Sequence, residues 1–132
     1  LLGAKSLKNI KTKRGKETPD PLSLKTKQMK IKAINIRSPR TGNGVANQFE
    51  ITFEHDNFKT IFFQSYNSVI AKLHLNTKGD WAVYLDSKDW DYSRTTLKYL
   101  RVFLNDYINF DGYTKDIRDN IESGLYKLTN LN

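Results

Sequence analysis

Hydrophobic and polar residues alternate at period two in five short stretches, and the period then changes to that of a helix. KIKAINI at 30–36 is rich in isoleucine, and QFEITFE at 48–54 sets Phe49, Ile51 and Phe53 on one face. FKTIFFQ at 58–64 returns across a turn at His55, Asp56 and Asn57, with His55 read as an exposed turn residue. VIAKLHLN at 69–76 places Val69, Ala71, Leu73 and Leu75 inward and His74 with Lys72 on the other side, and WAVYL at 81–85 groups Trp81, Val83 and Leu85. From Ser93, a residue suited to cap a helix, Leu97, Leu100, Leu104, Tyr107 and Ile108 recur at spacings of three and four. Trp90 and Tyr92 are expected to pack where this helix enters. A shorter helix is expected over 115–123, capped by Thr114 and closed by Gly124, followed by a last strand in LYKLTNL at 125–131. The order predicts an α+β domain: a mostly antiparallel sheet of about five to six strands with two helices packed at one side.

Charge divides the chain differently. Residues 1–32 hold ten Lys or Arg against two acids, whereas the remaining hundred hold twelve of each, so the net +8 belongs to the N-terminal segment. Residues 1–29 have few large apolar side chains and carry Pro19 and Pro21, which predicts a basic, disordered or extended arm ahead of a domain over 30–132. Lys5, Lys8, Lys11, Lys13, Arg14 and Lys16 suit phosphate binding by counterion release, although a solubilising tail or a localisation-like basic run has the same composition. Arg94, Lys98, Arg101 and Asn105 form a second stripe along the long helix, beside the apolar one. Such a stripe is ordinarily a solvated face, yet Arg94 and Lys98 lie in the first turns, where the helix dipole disfavours cations. An acidic partner accounts for them, as do the neighbouring Asp89 and Asp91. Arg37 and Arg40 project from the loop RSPRTGNGVAN, a second contact or a plain surface loop.

Candidate chemistry narrows the reading towards binding. The chain has no cysteine, so disulfides, thiolate metal sites and cysteine nucleophiles are excluded. Its two histidines fall in different kinds of element with no Gly-x-Ser-x-Gly elbow beside them, and GNG lacks the Lys-Ser/Thr of a phosphate loop. Asp86, Asp89 and Asp91 have the spacing for a Mg²⁺ site, but turn chemistry near a helix start is the simpler account. No catalytic residue, metal or cofactor is therefore expected, and the protein is read as a non-enzyme. Without an eighteen-residue apolar run or a signal-peptide pattern, a soluble intracellular protein is expected. Aromatic residues make up 12% of the chain; most are assigned to core packing, while the set Phe58, Phe62, Phe63, Tyr66, Tyr84, Tyr92, Tyr99 and Tyr113 can include a base-stacking platform, with Tyr66 and Tyr84 expected to be exposed.

FFQSYNSVIAKL, VYLDSKDWDYSRTTLKYLRVFL and the terminal IESGLYKLTNLN resemble a domain of unknown function found in small proteins of bacteriophages and related mobile elements. The likeness spans Phe49 to Asn132 and is most specific from Val83 to Leu104, at Trp90, Asp91, Tyr92, Ser93, Thr95, Thr96, Lys98 and Tyr99. It implies a phage setting and the cytoplasm of a bacterial host, and brings no activity or catalytic residue. Charge and context together predict an accessory protein that binds nucleic acid, DNA or RNA, or a nucleoprotein complex, through its arm and basic helix face. The alternative is an inhibitor of a host defence nuclease, of CRISPR or restriction type, acting by protein contact.

Overall fold

In a computed structural model, residues 29–132 are described. Six strands form one sheet in chain order: β1 (Lys30–Arg37), β2 (Gly44–His55), β3 (Phe58–Ser65), β4 (Ser68–Leu75), β5 (Trp81–Asp86) and β6 (Tyr126–Thr129). Antiparallel pairing runs from β2 to β5, and β6 then joins β5 in parallel. A parallel neighbour needs a crossover, and α1 (Arg94–Ile108) with α2 (Thr114–Glu122) supplies it. The described residues form an α+β fold with a mostly antiparallel sheet and two helices.

α1 begins where expected, with the Thr96 N–H donating to the Ser93 hydroxyl at 3.1 Å. It ends at Asn109 in the left-handed conformation, a residue type that tolerates it. Its buried face is broader than the predicted stripe, since Thr96, Tyr99 and Phe103 join Leu100 and Leu104 while Leu97, Tyr107 and Ile108 pack at the margin. α2 starts one residue early: Thr114 is helical, the cap position is Tyr113, and the Asp116 carboxylate reaches back to accept the Tyr113 N–H at 2.7 Å. Gly112 permits that return, because a Cβ there would meet the Asp116 carboxylate at 2.7 Å. Gly124 closes the helix at positive φ, as its sequence position predicts.

The core lies between the helices and one face of the sheet. Ile61 and Phe63 of β3, Leu73 of β4, and Val83 and Leu85 of β5 meet Leu100, Phe103, Leu104 and Ile117 there, and Phe63 stacks on Phe103 at 5.6 Å. β4 departs from strict alternation. Ala71 pairs with Phe63 and Val69 with Gln64, so Ile70 is an extra residue at a bulge. The bulge shifts the inward position from Val69 to Ile70, which is fully buried beside Ala71. Val69 is instead tied to the chain end, its N–H donating to the Asn132 side chain at 2.7 Å.

β2 shows the larger surprise. Glu50 pairs with Phe63 and Gln48 with Ser65, so the polar side of β2 lies beneath the helices. Its apolar alternates, Phe49, Ile51 and Phe53, share the opposite face with Gln64, Phe62 and Thr60. The buried Glu50 is satisfied by the Tyr107 hydroxyl, which donates to it at 2.6 Å. Burial raises the Glu50 carboxyl above its usual range, a shift that this hydrogen bond offsets only in part, and burial with the nearby carboxylate pushes the Tyr107 phenol up.

Three local expectations are corrected. His55 is the last residue of β2, half-buried and stacked on Phe58 at 5.5 Å, not an exposed turn residue. Trp90 packs in the core with the Arg118 guanidinium over its ring, but Tyr92, expected to pack beside it, is 77% exposed. Tyr84 is half-buried rather than exposed, whereas Tyr66 is exposed as predicted.

Candidate nucleic-acid interface

The basic positions read from the sequence separate into three groups. Lys5, Lys8, Lys11, Lys13, Arg14 and Lys16 lie outside the described residues, as does all but the last residue of the arm read over 1–29. Arg37, Lys98 and Arg101 converge: the loop after β1 and the exposed side of α1 enclose a groove of about 430 Å³ lined by all three, together with Asn105, Asp106 and Asp111. Arg40 and Arg94 are exposed and do not line this groove.

Local chemistry holds the groove in shape. The Arg37 guanidinium donates to the Gly42 carbonyl at 3.0 Å, bracing its own loop, and the Ser38 hydroxyl accepts the Arg40 N–H at 3.2 Å. Arg101 lies over the Tyr113 ring at 5.7 Å with its Nε buried and without a hydrogen-bond partner among the described residues, while Lys98 sits over Tyr99 at 5.3 Å. Asn105 donates to the Phe110 carbonyl at 3.0 Å and anchors the far wall. Three cations thus face two carboxylates, and burial raises the Asp106 carboxyl, weakening its hold on a proton-free state. Among the described residues no ion pair within 4.0 Å engages Arg37, Lys98 or Arg101, so the two carboxylates offset the groove's three cations only in part and without direct pairing.

The face of the sheet away from the helices has a different chemistry. By register, Phe53, Thr60 and His74 form one row across β2, β3 and β4, and Ile51, Phe62, Lys72, Tyr84 and Lys127 form the next across β2 to β6. Phe53 meets Phe62 edge-on at 5.7 Å, and the Lys72 ammonium lies over the Tyr84 ring at 5.2 Å. The Thr60 hydroxyl and His74 Nδ1 are 2.9 Å apart. Neither helix packs here among the described residues, and none of these side chains belongs to the core. Of the suggested stacking set, Phe62 and Tyr84 lie on this face, with Phe58 at its edge, while Phe63 and Tyr99 are core residues. Phe53 lies outside that stacking set, although its alternation with Glu50, Thr52 and Glu54 places it on one face with Phe49 and Ile51.

The acidic trio resolves into turn chemistry. Asp86 accepts N–H bonds from Leu131 at 2.8 Å, Asp89 at 2.8 Å and Lys88 at 3.2 Å, locking the chain end and the β5 exit together. Burial opposes its charge, yet these donors hold the carboxyl below the usual range. Asp91 is exposed, and no metal-competent cluster of these side chains forms among the described residues.

The chain belongs to a family of unknown function (DUF8033), whose model matches residues 27–120. That span takes in β1 and ends within α2, so it begins earlier and stops sooner than the resemblance read from Phe49 to Asn132. No curated protein and no solved structure matches the chain.

Proposed function

We propose that this protein is a non-enzymatic accessory protein of phage or mobile-element type that binds nucleic acid, its N-terminal segment and the Arg37–Lys98–Arg101 groove gripping phosphates. The observation that carries the reading is that groove: cations sixty residues apart in the chain converge on one concave surface, outnumber its carboxylates Asp106 and Asp111, and make no ion pair within 4.0 Å among the described residues. The charge of residues 1–32 acts with it, since a segment of ten cations and two acids accumulates on a polyanion by counterion release. The host cytoplasm is the compartment this reading implies. A second reading, contact with a host defence nuclease, draws on the exposed rings of Tyr66, Tyr92 and Tyr113, because tyrosine is enriched at protein interfaces.

The test is a salt series of equilibrium binding to DNA and RNA. The wild-type chain is expected to lose affinity steeply with salt. Replacing Lys11, Lys13, Arg14 and Lys16 with Gln flattens the slope, and Arg37→Gln with Lys98→Gln reduces it by about one phosphate contact each. A chain that binds no nucleic acid at low salt but blocks a nuclease establishes the second reading instead.

A further inference from the structure

We infer that the helix-free face of the sheet is a base-stacking platform, so that the nucleic acid this protein takes is single-stranded. The inference rests on the nucleic-acid reading above and goes beyond it in naming the form of the ligand. Three features of the face carry it.

The first is the order of side chains across the strands. Phe62, Lys72 and Tyr84 occupy directly paired positions on β3, β4 and β5, so a cation stands between two aromatic rings, and Lys127 follows on β6. Neighbouring strands are about 4.8 Å apart, which separates Phe62 from Tyr84 by roughly 10 Å. That spacing suits two splayed nucleotides, each base on a ring, with Lys72 facing the phosphate between them.

The second is charge. Glu50 and Glu54 project to the helix side by register, and Asp86, at the end of β5, spends its carboxylate on three backbone N–H groups. The face therefore presents Lys72 and Lys127 with no free carboxylate among its paired positions, although the chain beyond residue 32 is neutral overall. A second copy of this chain would bring cations against cations here, whereas a polyanion is complementary.

The third is that both rings lie outside the core and are half-buried, Tyr84 beneath the flexible Lys72 side chain, whose ammonium sits over it at 5.2 Å and gives way to a stacked base. Phe53 braces Phe62 edge-on at 5.7 Å, and neither ring packs into the core. Stacking on such rings requires an unpaired base, because a duplex buries its base faces.

The experiment compares the full chain with a Phe62→Leu/Tyr84→Leu variant, which keeps apolar cover but removes both rings. Binding is measured to fluorescein-labelled oligo(dT), oligo(rU) and a mixed-sequence duplex at one salt concentration, with thermal melting to check the fold and sedimentation to check the oligomeric state. Wild type is expected to prefer the single strands, and the variant to lose about tenfold or more of that affinity with duplex binding unchanged. Undiminished single-strand binding by a folded variant overturns the platform while leaving the nucleic-acid reading intact. Wild type that favours duplex, or a wild-type dimer that the two Leu residues dissociate, also overturns it. Binding to none of the three probes overturns both readings.

Discussion

The two faces of one sheet differ in what they bury and in what they offer. Beneath the helices, Ile61, Phe63, Leu73 and Leu85 are fully buried in a contiguous core. On the other side, the residues immediately next to them in the chain, Phe62, Lys72 and Tyr84, are half-buried aromatic and cationic groups outside the core. A strand's alternation defines two faces, but the packing partner decides which becomes interior. β2 makes the point, since its apolar side faces out and its Gln48 and Glu50 face in.

Adjacent substitutions on β3 sharpen that contrast most. Phe63→Ala removes a fully buried ring that stacks on Phe103 and is expected to cost about 3–5 kcal/mol in urea unfolding. Phe62→Leu, one residue away, is expected to cost less than about 1.5 kcal/mol. Equal losses would mean that the open face is a second core.

The two buried carboxylates, Asp86 and Glu50, come next and have opposite signs. Asp86→Asn leaves three backbone donors without a charged acceptor and is expected to cost about 1.5–3 kcal/mol. Because the folded Asp86 carboxyl is lowered, its contribution is complete above the unfolded value near pH 4 and is lost as pH falls through the folded one. Acid melts of wild type and variant should therefore converge. Glu50 runs the other way: its folded value is raised, so its contribution is present at acid pH and fades as pH rises through that value. Glu50→Gln keeps an acceptor for the Tyr107 hydroxyl and is expected to raise stability at neutral pH by under about 1 kcal/mol, and to flatten the pH profile in that window.

Ser93→Ala is expected to cost about 1 kcal/mol, measured by thermal melting, through loss of the Thr96 N–H bond. Its effect falls on helix α1 and should leave the chemistry of the open face unchanged.

Features set by local chemistry were legible in the chain. The order of elements along the chain, the Ser93 cap, the Gly124 stop and the position of His74 beside Lys72 follow from period, hydroxyl placement and backbone freedom within a few residues. Features that depend on distant partners were not. The bulge at Ile70 depends on the register with Phe63, the cap at Tyr113 on Asp116 folding back, and the inversion of β2 on Tyr107 arriving over Glu50. The same limit applied to the site. Arg37, Lys98 and Arg101 could be named singly, but only the fold joins them in a groove, and of the two rings before the Ser93 cap only the fold selects Trp90 for the core and leaves Tyr92 exposed.

The most direct test of the claim that this chain binds nucleic acid is an amide chemical-shift titration of the full protein with a single-stranded oligonucleotide at low salt. The account predicts saturable shifts at Arg37, Lys98 and Arg101 and at Phe62, Lys72 and Tyr84, with the Leu100 and Leu104 amides little changed. A spectrum that does not move at any oligonucleotide concentration would contradict it.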